Sequence, residues 1–474
     1  MKEDYKLQKE AFVTGHTGQP FREIFMIGVL IVVTRLLSAC FQSRYPSQSY
    51  RIFHFFIDYG FYYIIPLLFV TIFASHLEWL ALGLLVSVFI LKLCKKPYKT
   101  DKQAEYSKKK LSKGSLKNIG YIENTELKSY VTVFRASIML ITCLSILAVD
   151  FKIFPRKFAK VETWGISLMD FGVGFFVFSS GIVAIRSIKN NYSDKTTSFI
   201  RRIFVSLKQS YMFFIVGFIR ILITKISDYP EHITEYGVHW NFFFTLGFLS
   251  LSLVFIEFLR RYLKSYLIII ILLSIYNESL IRSSRILAYI LDAPRTNLIS
   301  ANKEGIFSLT VGINTGEDIF YGSLSLKTKK SKTINNQYKI ILKTFLLAVF
   351  YFSIYCYLTF YKQRPASRRL TNLPYVSIVS AGSCSILACH MLTEILFFKF
   401  SAKYIDTVPL LLHYVNKNGL IVFLIANVIT GLVNSSINTL EINNAIGFLI
   451  MTIYGIIICG VSFIIDIKKW IFKF

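Results

Sequence analysis

The sequence predicts an all-α polytopic membrane protein of about thirteen transmembrane helices, with the N-terminus luminal and the C-terminus cytoplasmic. Three observations lead there. Apolar runs of about 18 or more residues recur along the whole 474-residue chain. Basic residues concentrate in alternate connectors, and ionisable side chains collect in several connectors of the opposite face. A run of that length crosses a hydrocarbon core of about 30 Å, and a soluble core could not hide so many. Composition alone decides less: 54% of residues are hydrophobic, against about 45–50% in soluble domains.

In chain order the expected spans are 24–41, 52–75, 77–94, 129–150, 165–188, 203–225, 238–258, 264–278, 305–326, 339–361, 373–399, 418–439 and 444–467. The first follows a polar segment in which Lys2, Lys6, Lys9 and Arg22 balance Glu3, Asp4, Glu10 and Glu23. That charge balance marks an uncleaved anchor and not a signal peptide. The weakest runs are 264–278, which is short, and 305–326, which carries Glu317 and Asp318. Residues 95–128 hold ten of the basic residues in a lysine-rich, weakly hydrophobic stretch. It reads as a flexible basic cytoplasmic loop drawn to anionic lipid. No repeat of fixed period is visible, so residues 1–474 are expected to form a single integral-membrane domain.

The net charge of +27 invites a nucleic-acid reading, but cytoplasmic loops of membrane proteins accumulate Lys and Arg. With the N-terminus placed in the lumen, 31 of the 54 basic residues fall in cytoplasmic connectors and 16 in luminal ones. No nucleic-acid partner is expected. Two short luminal connectors break the bias, with Lys152, Arg156, Lys157 and Lys160 in one and Lys362, Arg364, Arg368 and Arg369 in the other. An anionic substrate handled at that face would explain them; snorkelling to lipid headgroups is the alternative. The seven cysteines lie in or beside apolar runs, without CxxC, and no HExxH occurs. They read as packing thiols, and no metal site is expected.

Four luminal stretches differ from ordinary connectors. Residues 148–170 place Asp150 at the end of one span, four basic residues and Pro155 in the loop, and Asp170 in the first turns of the next span. Residues 228–245 hold no Lys or Arg but carry His239 and Asn241 into an aromatic run, with Trp240 as an interface anchor. His239 is either a base or hydrogen bonder for substrate, or a packing histidine. Residues 301–308 set Asn302 and Glu304 just before a span, where helix capping is the competing explanation. Residues 367–376 contain Arg368, Arg369 and Asn372, and the arginine pair could clamp a phosphate bidentately.

These stretches, AVDFKIFPRKFAKVETWGISLMDFGVGFFVFSSG, YPEHITEYGVHWNFFFT, ANKEGIFS and SRRLTNLPYV, together resemble the PIG-W family of GPI inositol-acyltransferases, whose fungal members are antifungal targets. The resemblance implies a multi-pass enzyme of the endoplasmic-reticulum membrane that moves a long acyl chain, typically palmitoyl, from acyl-CoA to the inositol 2-hydroxyl of glucosaminyl-phosphatidylinositol. Acyl-CoA is then a co-substrate, and no cofactor is expected. It also implies thirteen spans with the shared motifs luminal, and it puts the catalytic pair on Asp150 and Lys160. One departure is Lys157, where many members have arginine; lysine keeps the charge and loses the planar fork.

On this reading Asp150 is the base, and Lys160 positions it, steadies the oxyanion or binds a phosphate, with an ion pair between the two favoured by the turn at Pro155. His239 is the reserve base. Arg156, Lys157, Asp170, Asn241, Asn302, Glu304, Arg368, Arg369 and Asn372, with His239, are expected to bind substrate. A secondary transporter is the competing class; it predicts related halves and charge at mid-membrane.

Overall fold

A run of apolar residues long enough to span a bilayer can satisfy its backbone only as helix, and helices fill the chain. The computed structural model describes residues 8–9, 11–12, 14–45, 51–94, 128–191, 198–227, 236–263, 266–303, 305, 334–398, 404–468 and 470. Among them no strand occurs. In order, the helices are α1 (Phe21–Gln42), α2 (Arg51–Val70, with a π turn at Gly60–Ile64), α3 (Leu77–Cys94), α4 (Ser129–Ala148), α5 (Leu168–Asn191), α6 (Phe199–Ser227) and α7 (Phe242–Leu263). Then come α8 (Tyr266–Arg282), α9 (Ser284–Asp292), α10 (Ile334–Cys356, continued by a π turn at Tyr357–Tyr361), α11 (Leu373–Phe397), α12 (Leu410–Lys417), α13 (Gly419–Ser436) and α14 (Asn444–Ile467).

Among the described residues nine helices are long and apolar enough to cross a membrane: α1, α2, α4, α6, α7, α10, α11, α13 and α14. The chain is a polytopic, all-helical membrane protein. Helices α3, α5 and α8 occupy three further expected spans. The span expected at 305–326 lies outside the described residues, as do Glu304 and all of the basic loop 95–128 except Lys128.

Helix α4 is the centre of the core. Its Phe134, Leu140, Cys143 and Leu147 are fully buried, and α5, α11, α12, α13 and α14 pack on it. Tyr454 of α14 ties three helices by donating its hydroxyl to Cys143 O on α4 at 2.9 Å and Ala426 O on α13 at 3.3 Å. Large apolar side chains point outward on α6, among them Ile215, Phe218 and Leu222. Such a face is stable only against lipid.

The segment 399–417, expected as a plain cytoplasmic connector, is partly built into the core. Leu411, Leu412 and Val415 of α12 are fully buried, because polar side chains of two spans receive the backbone there. Arg35 donates to Thr407 O at 2.7 Å, Gln42 to Val408 O at 3.0 Å, and the Asp58 carboxylate accepts from Leu411 N at 3.2 Å. A buried connector needs such partners for its backbone groups, which answers for three polar residues inside α1 and α2.

The connectors sort onto two faces. On one, Lys9 meets Asn434, Gln19 N bonds Ile166 O, Gly165 N bonds Ala366 O, Val238 N bonds Ala301 O, and Leu373 N bonds the Glu278 carboxylate. On the other, Gln42 meets Val408, Arg44 donates to Leu91 O, and Lys417 pairs with Asp466 at 2.5 Å. The N-terminal segment, the loop after α4, the segment ahead of α7, the segment after α9 and the loop after α10, all expected on the luminal side, thus meet through these contacts.

Candidate active site

The loop after α4 is shaped by the carbonyls that a helix leaves unpaired at its C-terminus. Arg156 takes them: Nη1 donates to Val149 O at 2.8 Å, Nη2 to Phe151 O at 3.0 Å and Phe154 O at 2.7 Å, and Nε to Phe154 O at 3.2 Å. Its guanidinium also stacks on Phe12 of the N-terminal segment, 3.8 Å from the ring centroid. Burial lowers this guanidinium to about 10, against the pull of the Asp150 carboxylate, so it stays a cation at neutral pH. Lys157 pairs with Glu23 at 2.7 Å and donates to Ala74 O at 3.2 Å. Both residues were expected to bind substrate; the structure instead makes them the loop's fastenings to the helix end, α1 and the α2–α3 turn. A point charge serves two separate partners well, so lysine at 157 fits its place.

Asp170 and Ser167 form a capping box at the start of α5. The carboxylate Oδ2 accepts from Ser167 N at 3.0 Å, Ser167 Oγ at 2.7 Å and Val161 N at 3.2 Å, and Ser167 Oγ accepts from Asp170 N at 3.3 Å. Oδ1 accepts from Arg368 Nε at 2.6 Å, an ion pair with side chains 7% and 0% exposed. Asp170 thus anchors Arg368 and does not line the cavity described below. Asn372, also expected to bind substrate, is likewise outside that lining. Its Oδ1 accepts from Tyr375 N and Ser367 N, and its Nδ2 donates to Pro365 O, so the whole amide caps α11. Arg369 reaches Thr163 Oγ1 at 3.5 Å.

Asp150 lies two residues past α4 and is 5% exposed. Its carboxylate is held by residues far away in sequence. Lys9 Nζ is 3.3 Å from Oδ1, Asn434 Nδ2 donates to Oδ2 at 2.8 Å, and Lys9 Nζ donates to Asn434 Oδ1 at 2.8 Å. The ion pair of Asp150 is thus with Lys9, not with Lys160 as the turn at Pro155 suggested. Lys160 nonetheless joins the same site. A cavity of about 1790 Å³ is lined at its connector end by Lys9, Asp150, Lys160, Glu162, Arg368 and Asn434. Deeper in, the wall is apolar, with Ile31, Val33, Phe175, Ile386 and Phe423 among its side chains. On α1 it runs from Phe21 to Val33, about 18 Å at 1.5 Å per residue, over half of a hydrocarbon core of about 30 Å.

The remaining candidates divide. Asn241 lines the cavity but is engaged at the start of α7, with Oδ1 accepting from Phe243 N and Phe244 N and Nδ2 donating to Gly217 O. Asn302 Oδ1 accepts from His239 N at 2.8 Å and so ties the segment ahead of α7 to the segment after α9. His239 itself is not in the cavity wall, although its neighbours Val238 and Trp240 are, and its Nδ1 is buried without a hydrogen-bond partner among the described residues. The sequence reading overlooked Lys9, Asn434 and Arg220, which also line the cavity. Only Arg220 left a signal, as a cation near the end of an apolar run.

A geometry in which one polar end carries two carboxylates and several cations, and the rest is a long apolar slot, suits a lipid with an anionic head. The chain has known relatives over nearly its whole length. The GWT1 family model matches residues 5–465. The chain is 34% identical over 493 residues to the GPI-anchored wall transfer protein 1 of Gibberella zeae, covering 98% of this chain and 97% of that one. It is 35% identical over 494 residues to the protein of that name from Saccharomyces cerevisiae, with 99% of each covered. The Schizosaccharomyces pombe counterpart is 36% identical over 468 residues, with 96% of each covered.

Proposed function

The chain belongs to the GWT1 family, which is the PIG-W family, and on that premise we propose that it acylates the inositol of a GPI-anchor precursor in the endoplasmic-reticulum membrane. The donor is a long-chain acyl-CoA, with palmitoyl the expected chain, and the acceptor is the inositol 2-hydroxyl of glucosaminyl-phosphatidylinositol. The observation that carries this is the single cavity holding Asp150, Lys160 and Arg368 at the mouth of a deep apolar slot. The relatives' name, GPI-anchored wall transfer protein 1, supports a role in GPI-anchor biosynthesis. The whole chain acts as one domain of thirteen spans, with the Asp150 face luminal and the C-terminus cytoplasmic; the two-to-one basic bias supports that orientation.

The acyl chain occupies the slot, which brings its thioester to the polar end. Asp150 accepts the proton of the inositol hydroxyl as that oxygen attacks the thioester carbon. The carbonyl oxygen gains charge beside the Lys160 ammonium, where a preorganised cation is most effective. Collapse breaks the C–S bond, and the thiolate takes up the proton held by Asp150, leaving an inositol ester and CoA. Asn434 holds Oδ2 of Asp150 while Oδ1 faces Lys9, and all three residues line the cavity. Arg368, set by Asp170, receives a phosphate of either substrate.

The test is acyl transfer by purified protein from labelled acyl-CoA to glucosaminyl-phosphatidylinositol. Wild type should form the ester, and Asp150→Asn should lose about 10²–10⁴-fold in kcat, the usual contribution of a general base, at unchanged expression. Near-normal turnover by Asp150→Asn would remove the base assignment. No transfer by folded wild type would remove the reaction.

A further inference from the structure

We propose that Lys9 is the positioning cation of Asp150, delivered to the site by an N-terminal strap that docks on the loop 156–166; this rests on Asp150 being the base of the proposed reaction. Two independent features carry it. The first is the closed ring of Lys9, Asp150 and Asn434. It fixes both carboxylate oxygens through side chains from three parts of the chain, with Lys9 only 6% exposed. Burying an ammonium is costly unless it is paired and hydrogen-bonded, and this one is both. A lysine in a solvated tail would have no reason to be there.

The second is the path that brings Lys9 in. Phe12 lies under the Arg156 guanidinium at 3.8 Å. Glu162 N donates to His16 O at 3.3 Å, Gly15 N donates to the Glu162 carboxylate at 3.2 Å, and Gln19 N donates to Ile166 O at 3.0 Å. Two glycines make the contact possible. Gly18 has φ +85 and a Cβ there would sit 2.4 Å from Ile166 O; Gly165 has φ +126 and a Cβ would sit 2.1 Å from Thr17 O. Strap and loop meet backbone to backbone here, Gly18 against Ile166 and Gly165 against Thr17, and each contact is too close for a side chain on the glycine.

Lys9 acts through Asp150. It keeps Oδ1 turned toward the cavity, where the inositol hydroxyl must arrive. A misplacement of about 1 Å can lower rate about 10²-fold. Lys9→Met should therefore lower kcat about 10²-fold while KM for acyl-CoA moves little, and Lys9→Arg should recover part of the loss. Lys9→Cys alkylated with 2-bromoethylamine, which rebuilds the ammonium, should regain activity; the same protein treated with iodoacetamide should not. Treated wild type serves as the control, since Cys389 lines the cavity. Gly18→Ala, which lifts the strap off Ile166 O, should lose kcat in parallel. Asp150→Asn is measured alongside. Wild-type kcat in Lys9→Met beside an inactive Asp150→Asn overturns the role of Lys9 and leaves the base in place. Activity in Asp150→Asn overturns the base itself. Equal recovery of Lys9→Cys after aminoethylation and after iodoacetamide also refutes the proposal, because side-chain bulk and not charge was then needed.

Discussion

Replacing Asp170 by Asn keeps the size of the side chain and removes its charge. The carboxylate accepts three hydrogen bonds on Oδ2, from Val161 N, Ser167 N and Ser167 Oγ, and one on Oδ1 from Arg368 Nε. An amide can keep its oxygen at the Oδ2 position, but its NH₂ then faces the Arg368 Nε–H, donor against donor. Removing one partner of a buried ion pair costs about 3–5 kcal/mol. Loss of the Ser167 cap alone, in Ser167→Ala, costs about 1 kcal/mol. Asp170→Asn should therefore be clearly the less stable of the two in chemical denaturation in mixed micelles, with a lower midpoint followed by intrinsic fluorescence. Its activity, measured on the fraction that stays folded, should fall through a higher KM for the phosphorylated substrate as Arg368 loses its anchor. An Asp170→Asn protein as stable as Ser167→Ala yet inactive would refute the capping role and return Asp170 to contact with substrate.

Two further outcomes are expected. Arg368→Lys should raise KM for acyl-CoA or for the phosphoinositide, because the fork is lost, whereas Arg369→Ala should leave both KM values near wild type, since its side chain is outside the cavity wall; equal effects would restore the paired clamp. Single cysteines at Lys152, exposed in the Asp150 loop, and at Lys468, exposed after α14, should label with an impermeant thiol reagent from opposite sides of sealed microsomes, Lys468→Cys from outside; labelling of both from one side would refute the topology.

Charges in the sequence marked ligand candidates, and the fold engages several of them in holding its own loops. Arg156, Lys157 and Asp170 stand in the stretch that carries the resemblance, yet all three hold the loop together. A dense cluster of ionisable groups has the same sequence appearance whether its members face a ligand or each other. Asn372 shows the same ambiguity, since an asparagine ahead of Leu-Pro is both a polar group near a site and a helix cap. Lys9 and Asn434 were illegible for a different reason: one lies in a charge-balanced tail and the other near the end of an apolar run, 425 residues apart.

What the sequence determined by itself is the class: hydrophobic length and the obligation to pair every backbone group in lipid turn each long apolar run into a helix. Among the described residues twelve of the thirteen expected runs are helical, including the short one at 264–278, which falls in α8, while α9 and α12 are helices where connectors were expected. Tertiary structure alone decided which polar groups meet. A buried carboxylate takes whichever cation the fold delivers at hydrogen-bonding distance, and for Asp150 that cation comes from the N-terminal strap and not from the lysine ten residues on. Local pattern dictates an element because its energetics are local. A pairing between distant residues depends on how the helices pack, and no local periodicity records that.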